Sequence, residues 1–415
     1  MIEPLVFRAP GAYPTSLIAS QVAPLIRNLR GFIGAERLKH AAKNYRSEPG
    51  LQGQIRTLRL REYQPLIEAF SLFDKLTLNG ARPLRRLHPG LSELASVAAM
   101  GCAVIPTLDP STAEHQREML VSLDGRCKPL LLEWSSATQA IRHHAAKLAW
   151  TPPGIHGGEF VALANGIEFE VECKRQTTMV SQLLGEKEAD RILALIMEVS
   201  RYKKLQGELW VELTEPDNGN INDEIHDLDK ILRQNLGVGD VSIELSKNAH
   251  LRGHLDFYDG HAISLDAWKQ RLETARREPG HGIGNALSVG GYVMEPLLVH
   301  ILSPIKSAED FKDYLWEKKF KKAASQCSGK RGAILMFEWE GVSHPQLFVD
   351  ARLFEALTKD TFDQYRHVAR LVMRCEEETS RTKTGYQATT PVYSMDSKVT
   401  SFPDVLQFLK IDLPL

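Results

Sequence analysis

At 415 residues the chain is long enough for two or three domains, and 43% hydrophobic with 25% charged residues is ordinary globular composition. Lys+Arg 51 against Asp+Glu 52 leaves a net charge of -1, which excludes a global positive field; nucleic-acid binding would have to come from local patches. Five scattered cysteines (Cys102, Cys127, Cys173, Cys327, Cys375), none in a C-x-x-C pair, argue against a structural zinc site and a disulfide framework. The opening Met1-Ile2-Glu3-Pro4 and the lack of any apolar run of eighteen predict a cytoplasmic protein.

Residues 1–125 read as a helical N-terminal region. Val22, Leu25, Ile26 and Leu29 give Ser20–Arg30 a helical period, and Ala35–Tyr45 continues it after Gly34. Arg61–Leu78, Leu91–Cys102 and Pro110–Leu123, the last opened by Asp109-Pro110-Ser111, complete the set. Between them, Arg56/Arg59/Arg61 and Arg82/Arg85/Arg86 are either solvated loops or contacts to a phosphate backbone. Leu130–Trp150 is a strong helical candidate that runs almost straight into the next element. Glu133 is its one carboxylate, near the helix N-terminus where a negative charge is favourable in any case.

The following stretch, Gly157 to Arg175, predicts a β-hairpin. Asn165-Gly166 sits between two alternating runs, and both residues tolerate the φ > 0 of a type I′ turn. A two-residue loop there sets Ala164 opposite Ile167, Leu163 opposite Glu168, Ala162 opposite Phe169, Phe160 opposite Val171 and Glu159 opposite Glu172. The period of two puts Phe160, Ala162, Ala164, Ile167, Phe169, Val171 and Cys173 on an apolar face. Glu159, Val161, Leu163, Glu168, Glu170, Glu172 and Lys174 take the other. Opposed carboxylates, with Cβ atoms about 4.5–5.5 Å apart, repel one another. A divalent cation between them, with oxygen ligands at about 2.0–2.1 Å, removes the conflict. So does a plainly solvated outer face, and both readings stand at this point.

Glu159 followed by Glu172-Cys173-Lys174 resembles the motif of the PD-(D/E)XK nuclease superfamily, the restriction-endonuclease-like fold. Glu159 matches its first acidic residue, Glu172 its second and Lys174 its lysine. The resemblance implies a mixed sheet flanked by helices, with Mg²⁺ (or Mn²⁺ in its place) held by Glu159, Glu172 and the Cys173 backbone carbonyl. It implies that Lys174 orients or activates the attacking water and stabilises charge on the scissile phosphate. Glu133, on the preceding helix, would complete the metal site, and Gln176 would contact substrate or water. Two positions depart from the family pattern: Gly158 stands where proline is usual, and Glu159, with its longer reach, where aspartate is commoner.

Beyond the hairpin, Met179–Lys204 and Ile221–Leu236 read as helices, and Glu208–Leu213 and Val241–Leu245 as strands of the same α/β core. His250, His254 and His261 form the sole histidine cluster, but Gly253 and the strand pattern around them argue against a helical metal pair. Residues 278–291, rich in Gly and His and lacking the Lys-Ser/Thr of a P-loop, read as a linker. Tyr292–Ile301 reads as a strand, Ala308–Ala324 as a helix, Ala333–Trp339 as a strand buried on both faces, Thr361–Arg366 as a short helix and Val368–Met373 as a last strand. Lys318, Lys319, Lys321, Lys322, Lys330 and Arg331 are the densest basic patch, a solvated face or a nucleic-acid contact.

The expected organisation is a nuclease-like α/β domain over 126–375 and a polar, weakly structured C-terminal tail, 376–415, open to a partner protein or a second copy. The expected function is a metal-dependent nuclease in the manner of bacterial restriction or anti-phage enzymes. The alternative is an inactive nuclease-fold subunit that binds nucleic acid or protein. No residue chooses DNA over RNA, although the lack of an obvious aromatic platform favours duplex DNA.

Overall fold

The computed structural model describes residues 5–12, 19–45, 64–78, 89–176, 186–213, 228–246, 249–258, 288–294, 297–303, 315–339, 353–375, 378–382, 385–389 and 392–408. It is mixed α/β, built on a six-stranded sheet whose order is β1-β2-β3-β9-β10-β13. These strands are β1 (Lys147–Trp150), β2 (Phe160–Ala164), β3 (Ile167–Gln176), β9 (Gly332–Trp339), β10 (Val368–Cys375) and β13 (Val392–Asp396). β3, β9 and β10 run parallel, while β1, β2 and β13 pair antiparallel at the two sides.

Helices cover both faces of this sheet. On one side α1 (Ala19–Ile33), α2 (Ala35–Tyr45), α3 (Pro65–Leu78), α4 (Ser92–Val104), α5 (Pro110–Leu120) and α6 (Cys127–His144) form the helical N-terminal region. Their apolar stripes join Phe160, Ala162, Phe169, Val171, Ile334, Met336 and Val372 in one core. On the other side Leu315, Phe320, Ala323, Ala324 and Leu357 pack on Ala333, Leu335, Phe337, Leu371 and Met373. The packing residues lie at the start of or within a π-helical turn (Trp316–Phe320, capped by Leu315), α9 (Lys321–Gln326) and α10 (Leu353–Gln364). The run Ala333 to Phe337 is thus buried on both faces, as its unbroken apolarity predicts.

The hairpin has the expected register throughout β2–β3, from Ala164 facing Ile167 to Phe160 facing Val171. Its turn has Asn165 at φ 52° and Gly166 at φ 79°, the left-handed pair a type I′ loop needs.

Four expectations need correction. The helix expected over Leu130–Trp150 ends at His144, where Ala145 turns left-handed (φ 51°) and the chain enters β1. Leu148, Ala149 and Trp150 are buried there, and Trp150 Nε1 donates to Thr107 Oγ1 at 2.8 Å. Sheet pairing and that hydrogen bond override a helical period that carries no stop signal. The strand expected over Tyr292–Ile301 is two antiparallel strands, β7 (Ser288–Met294) and β8 (Leu297–Ser303). They join β4 (Leu205–Leu213), β5 (Gly239–Ser246) and β6 (Ala249–Phe257) in a separate five-stranded sheet, order β5-β6-β4-β8-β7. With α7 (Glu186–Tyr202) and α8 (Leu228–Asn235), this sheet has its own core around Leu193, Met197, Leu209, Val211, Leu232 and Leu251. It does not extend the first sheet. Most of the 278–291 linker lies outside the described residues.

The C-terminal tail is the fourth correction, since its described residues are structured. β11 (Glu378–Thr382) and β12 (Gly385–Thr389) form a hairpin, and β13 closes the main sheet against β10. Arg370, fully buried, chelates Asp396 (2.6 and 3.0 Å) and donates to the carbonyls of Leu406 (2.7 Å) and Phe408. Phe408 stacks on Phe169, centroids 4.8 Å apart. Among the described residues no helix is long and apolar enough to cross a membrane.

Candidate metal centre

The site lies where the start of β2 meets the C-terminal half of β3. Glu159 is placed by its backbone: Thr151 N donates to Glu159 O at 3.0 Å, and Thr151 Oγ1 donates to Gly158 O. Gly158 is tight against the neighbouring strand; a Cβ there would stand 2.8 Å from Val171 O. Glycine stands here because β3 passes too close for a side chain. Neither Thr151 nor this approach left a signal in the sequence.

The outer face of the hairpin is exposed at Glu168 but covered at Glu170 and Glu172. Glu170 and Glu172 are each 1% exposed, covered from the side of α9. Glu170 is neutralised locally: Ser328 donates to it from its backbone N (2.7 Å) and its Oγ, and Arg331 lies 3.6 Å away. Glu172 is different. Its Oε1 accepts from Lys174 Nζ, but among the described residues its Oε2 is buried and accepts no hydrogen bond. Lys174 Nζ also lies 3.7 Å from Glu159 Oε1 and 3.4 Å from the Cys173 carbonyl oxygen. The ammonium thus rests on Glu159, Glu172 and the Cys173 carbonyl, the three groups the motif assigns to a metal.

The electrostatics follow from crowding three carboxylates. Burial, then repulsion from Glu159, pushes the Glu172 carboxyl up to about 8 despite the attraction of Lys174. Burial, then Glu159 and Glu172, pushes Glu133 on α6 well above the carboxylate range, so this residue shares the field of the other two. Burial raises Glu159 against the pull of Lys174. For Lys174 burial acts downward, but Glu172 and Glu159 outweigh it and keep the ammonium charged. Access is from the side of Glu159 and Lys174, whose side chains are 30% and 21% exposed, whereas that of Glu172 is sealed.

The donor set is that of a hard cation: carboxylates and a backbone carbonyl, one carboxylate oxygen buried without a hydrogen, and no thiolate. The Cys173 thiol points away to Ser136 Oγ (3.5 Å), and burial first of all pushes it well above its ordinary range. Among the described residues no three His, Cys, Asp or Glu side chains already surround a common point; Lys174 stands between the carboxylates instead.

The remaining candidates divide. Gln176 ends β3 opposite Trp339, with its side chain outside the described residues, as is that of Lys318. Lys319 is half-buried beside the site, its ammonium pushed down by burial and then by Lys322 and Lys174. Lys321 pairs with Glu317 at 2.9 Å, and Lys322 is exposed. Lys330 and Arg331 lie at the other end of the strands. Gly332 faces Phe169 while Phe337 faces Lys174, a separation of about 16 Å at 3.3 Å per residue. Arg331 is held there by Glu168 at 2.6 Å. The basic run therefore forms two separate groups. His250 and His254 lie on β6 as expected; His254 bonds Asp240 at 2.8 Å, and His261 is outside the described residues.

Comparison of this chain with protein-family models, with characterised proteins and with solved structures finds no match.

Proposed function

We propose that this protein is a metal-dependent phosphodiesterase acting on nucleic acid, with the restriction-endonuclease-like arrangement of a mixed sheet around a Glu159/Glu172/Lys174 centre. One observation carries the reading: a lysine ammonium sits on two carboxylates and a carbonyl, beside a buried carboxylate oxygen that accepts no hydrogen bond among the described residues. Glu159, Glu172 and the Cys173 carbonyl would hold Mg²⁺ or Mn²⁺, and Glu133 on α6, a buried carboxyl that Glu159 and Glu172 push up, would add a further oxygen. Such an ion, when bound, supplies positive charge against a phosphate and makes its water a better nucleophile at neutral pH.

The chain's own groups have defined tasks. Glu172, sealed from solvent, fixes one oxygen rigidly; Glu159, on the open side, is the adjustable ligand. Lys174, displaced from the carboxylates, keeps its proton and donates hydrogen bonds to the attacking water or to a non-bridging phosphate oxygen. In hydrolysis water oxygen bonds to phosphorus, the P–O ester bond breaks, and water's proton balances the departing alkoxide.

A second reading has its own support. Lys174 already compensates Glu172 and Glu159, so the same fold without chemistry, as a nucleic-acid- or protein-binding subunit, is a self-consistent molecule. Cleavage of single- and double-stranded DNA and RNA, with Mg²⁺, Mn²⁺ or chelator, separates the two. Metal-dependent cutting that Lys174→Ala and Glu159→Gln both abolish establishes the first. Calorimetry that detects no Mn²⁺ binding to the wild-type chain establishes the second.

A further inference from the structure

The parallel strands β3, β9 and β10 end in a row of charged residues on the face that α6 covers. Arg175, Glu338 and Arg374 are neighbours in register, each the penultimate residue of its strand. Two positions back on the same face, Cys173, Met336 and Val372 lie in the core shared with α6. Glu338 pairs with Arg175 at 3.6 Å. Arg374 has no carboxylate partner: among the described residues its sole hydrogen bond runs from Nη1 to Ser135 Oγ on α6, at 2.9 Å. The residue is 7% exposed, and its Nε is buried without an acceptor. Taking a guanidinium out of water with no anion opposite it is costly, so the position calls for negative charge.

The helix supplies more unused hydrogen-bonding capacity at the same place. Thr138 and Gln139 stand three and four residues after Ser135, hence on its face of α6. Helical side chains lean over the turn N-terminal to their own Cα, which directs both groups to Ser135, where the guanidinium arrives. They are 5% and 6% exposed. Thr138 Oγ1 and both amide atoms of Gln139 are buried with no partner among the described residues. Buried polar groups are almost always paired, so four unpaired atoms beside one hydroxyl mark a place where a ligand supplies the partners. The atoms define its chemistry. Arg374 Nε, the Thr138 hydroxyl and the Gln139 amide N–H donate, which suits an oxyanion. Gln139 Oε1 only accepts, which asks for a proton on that anion. Hydrogenphosphate meets both demands; sulfate and a carboxylate carry no such proton at neutral pH. The carboxyl ends of parallel strands are also where open α/β sheets bind their ligands.

We infer that Arg374, Ser135, Thr138 and Gln139 form a binding site for a phosphoryl group, between α6 and the end of β10. It is separate from the metal centre. Glu172 and Lys174 alternate with Cys173 and so take the opposite face of β3, two strands and about 10 Å across the sheet from β10. The inference neither uses nor needs the metal-centre reading.

The test is isothermal titration calorimetry of the metal-free full chain at pH 7 with inorganic phosphate, sulfate, acetate and adenosine 5′-monophosphate. The wild type binds phosphate, and binds sulfate and acetate about 10-fold or more weakly, for want of the hydrogen bond to Gln139. The nucleotide arm separates two sources of the group: affinity equal to that of the free ion shows that a phosphate monoester enters, and no binding shows that the free ion alone does. Thr138→Val and Gln139→Leu each weaken phosphate binding about 10- to 150-fold, the worth of one hydrogen bond to a charged group. Both remove atoms that bond nothing in the folded chain, so neither variant unfolds at lower urea than the wild type. Arg374→Met, long but uncharged, abolishes binding. No phosphate binding by the wild type overturns the inference, since buried water would then serve the unpaired atoms. So does equal affinity for sulfate, or unchanged phosphate affinity in Gln139→Leu. Lys174→Ala binds phosphate as the wild type does; loss of binding in that variant would place the anion at the metal centre and overturn the inference as well.

Discussion

Glu172→Gln is expected to stabilise this protein at pH 8 while destroying divalent-cation binding. Glu172 is 1% exposed, and burial with repulsion from Glu159 moves its carboxyl from 4.5 to about 8. Between those values the folded chain holds a proton that the unfolded chain has released. The stability this group contributes is therefore full below 4.5 and is lost as pH rises towards 8. Each pH unit crossed between the two values costs about 1.4 kcal/mol, so the loss is about 4 kcal/mol at pH 8 and approaches a ceiling of about 5 kcal/mol above it. Glutamine keeps the shape, does not ionise and still offers Lys174 an oxygen, so the variant gains roughly 2–4 kcal/mol over the wild type at pH 8. Urea unfolding in chelator at pH 5 and pH 8 measures this, with the wild-type midpoint falling between the two and the variant's staying level in this step. Calorimetric Mn²⁺ titration is the companion assay: the wild type binds with proton release, and the variant does not bind. A variant less stable than the wild type at pH 8 would refute the reasoning, because the Lys174–Glu172 attraction would then outweigh the cost of burying the charge.

Two further substitutions probe the supports of the site and the sheet. Gly158→Ala places a Cβ 2.8 Å from Val171 O, so the segment carrying Glu159 has to shift. Roughly 1–3 kcal/mol of stability is lost, and Mn²⁺ affinity falls with it; wild-type affinity in this variant would show that Glu159 is not a ligand. Arg370→Ala leaves Asp396 and the carbonyls of Leu406 and Phe408 without their donor, at a cost of about 3–5 kcal/mol in urea unfolding. Limited proteolysis then cuts first near 392–408, while Mn²⁺ binding by the remaining folded protein is unchanged; early cleavage elsewhere would contradict this.

Local signals carried the hairpin, and through it the site. Asn165-Gly166 specifies its own turn, and the period of two then sets the faces and pairings without help from the rest of the chain. The helical N-terminal region and the doubly buried strand Ala333 to Phe337 were legible for the same reason, because amphipathic or unbroken apolar runs declare their burial. Glu133 is the one carboxylate on the helix that leads to the hairpin, and the fold buries its carboxyl where Glu159 and Glu172 act on it.

Pairing partners remote in sequence decided the rest. Leu148 to Trp150 continue a helical period, yet β2 and Thr107 draw them into a strand. Residues 392–396, inside a polar stretch, look unstructured until Arg370, buried in the sheet, claims Asp396. Whether Glu170 and Glu172 face water or protein depends on what packs over the hairpin, and the covering helix comes from residues more than a hundred positions later. Sequence by itself determined the turn, the register and the identity of the charged groups, since these depend on neighbours along the chain. Only the tertiary structure decided which charges are buried together, since burial is a property of what folds over a residue.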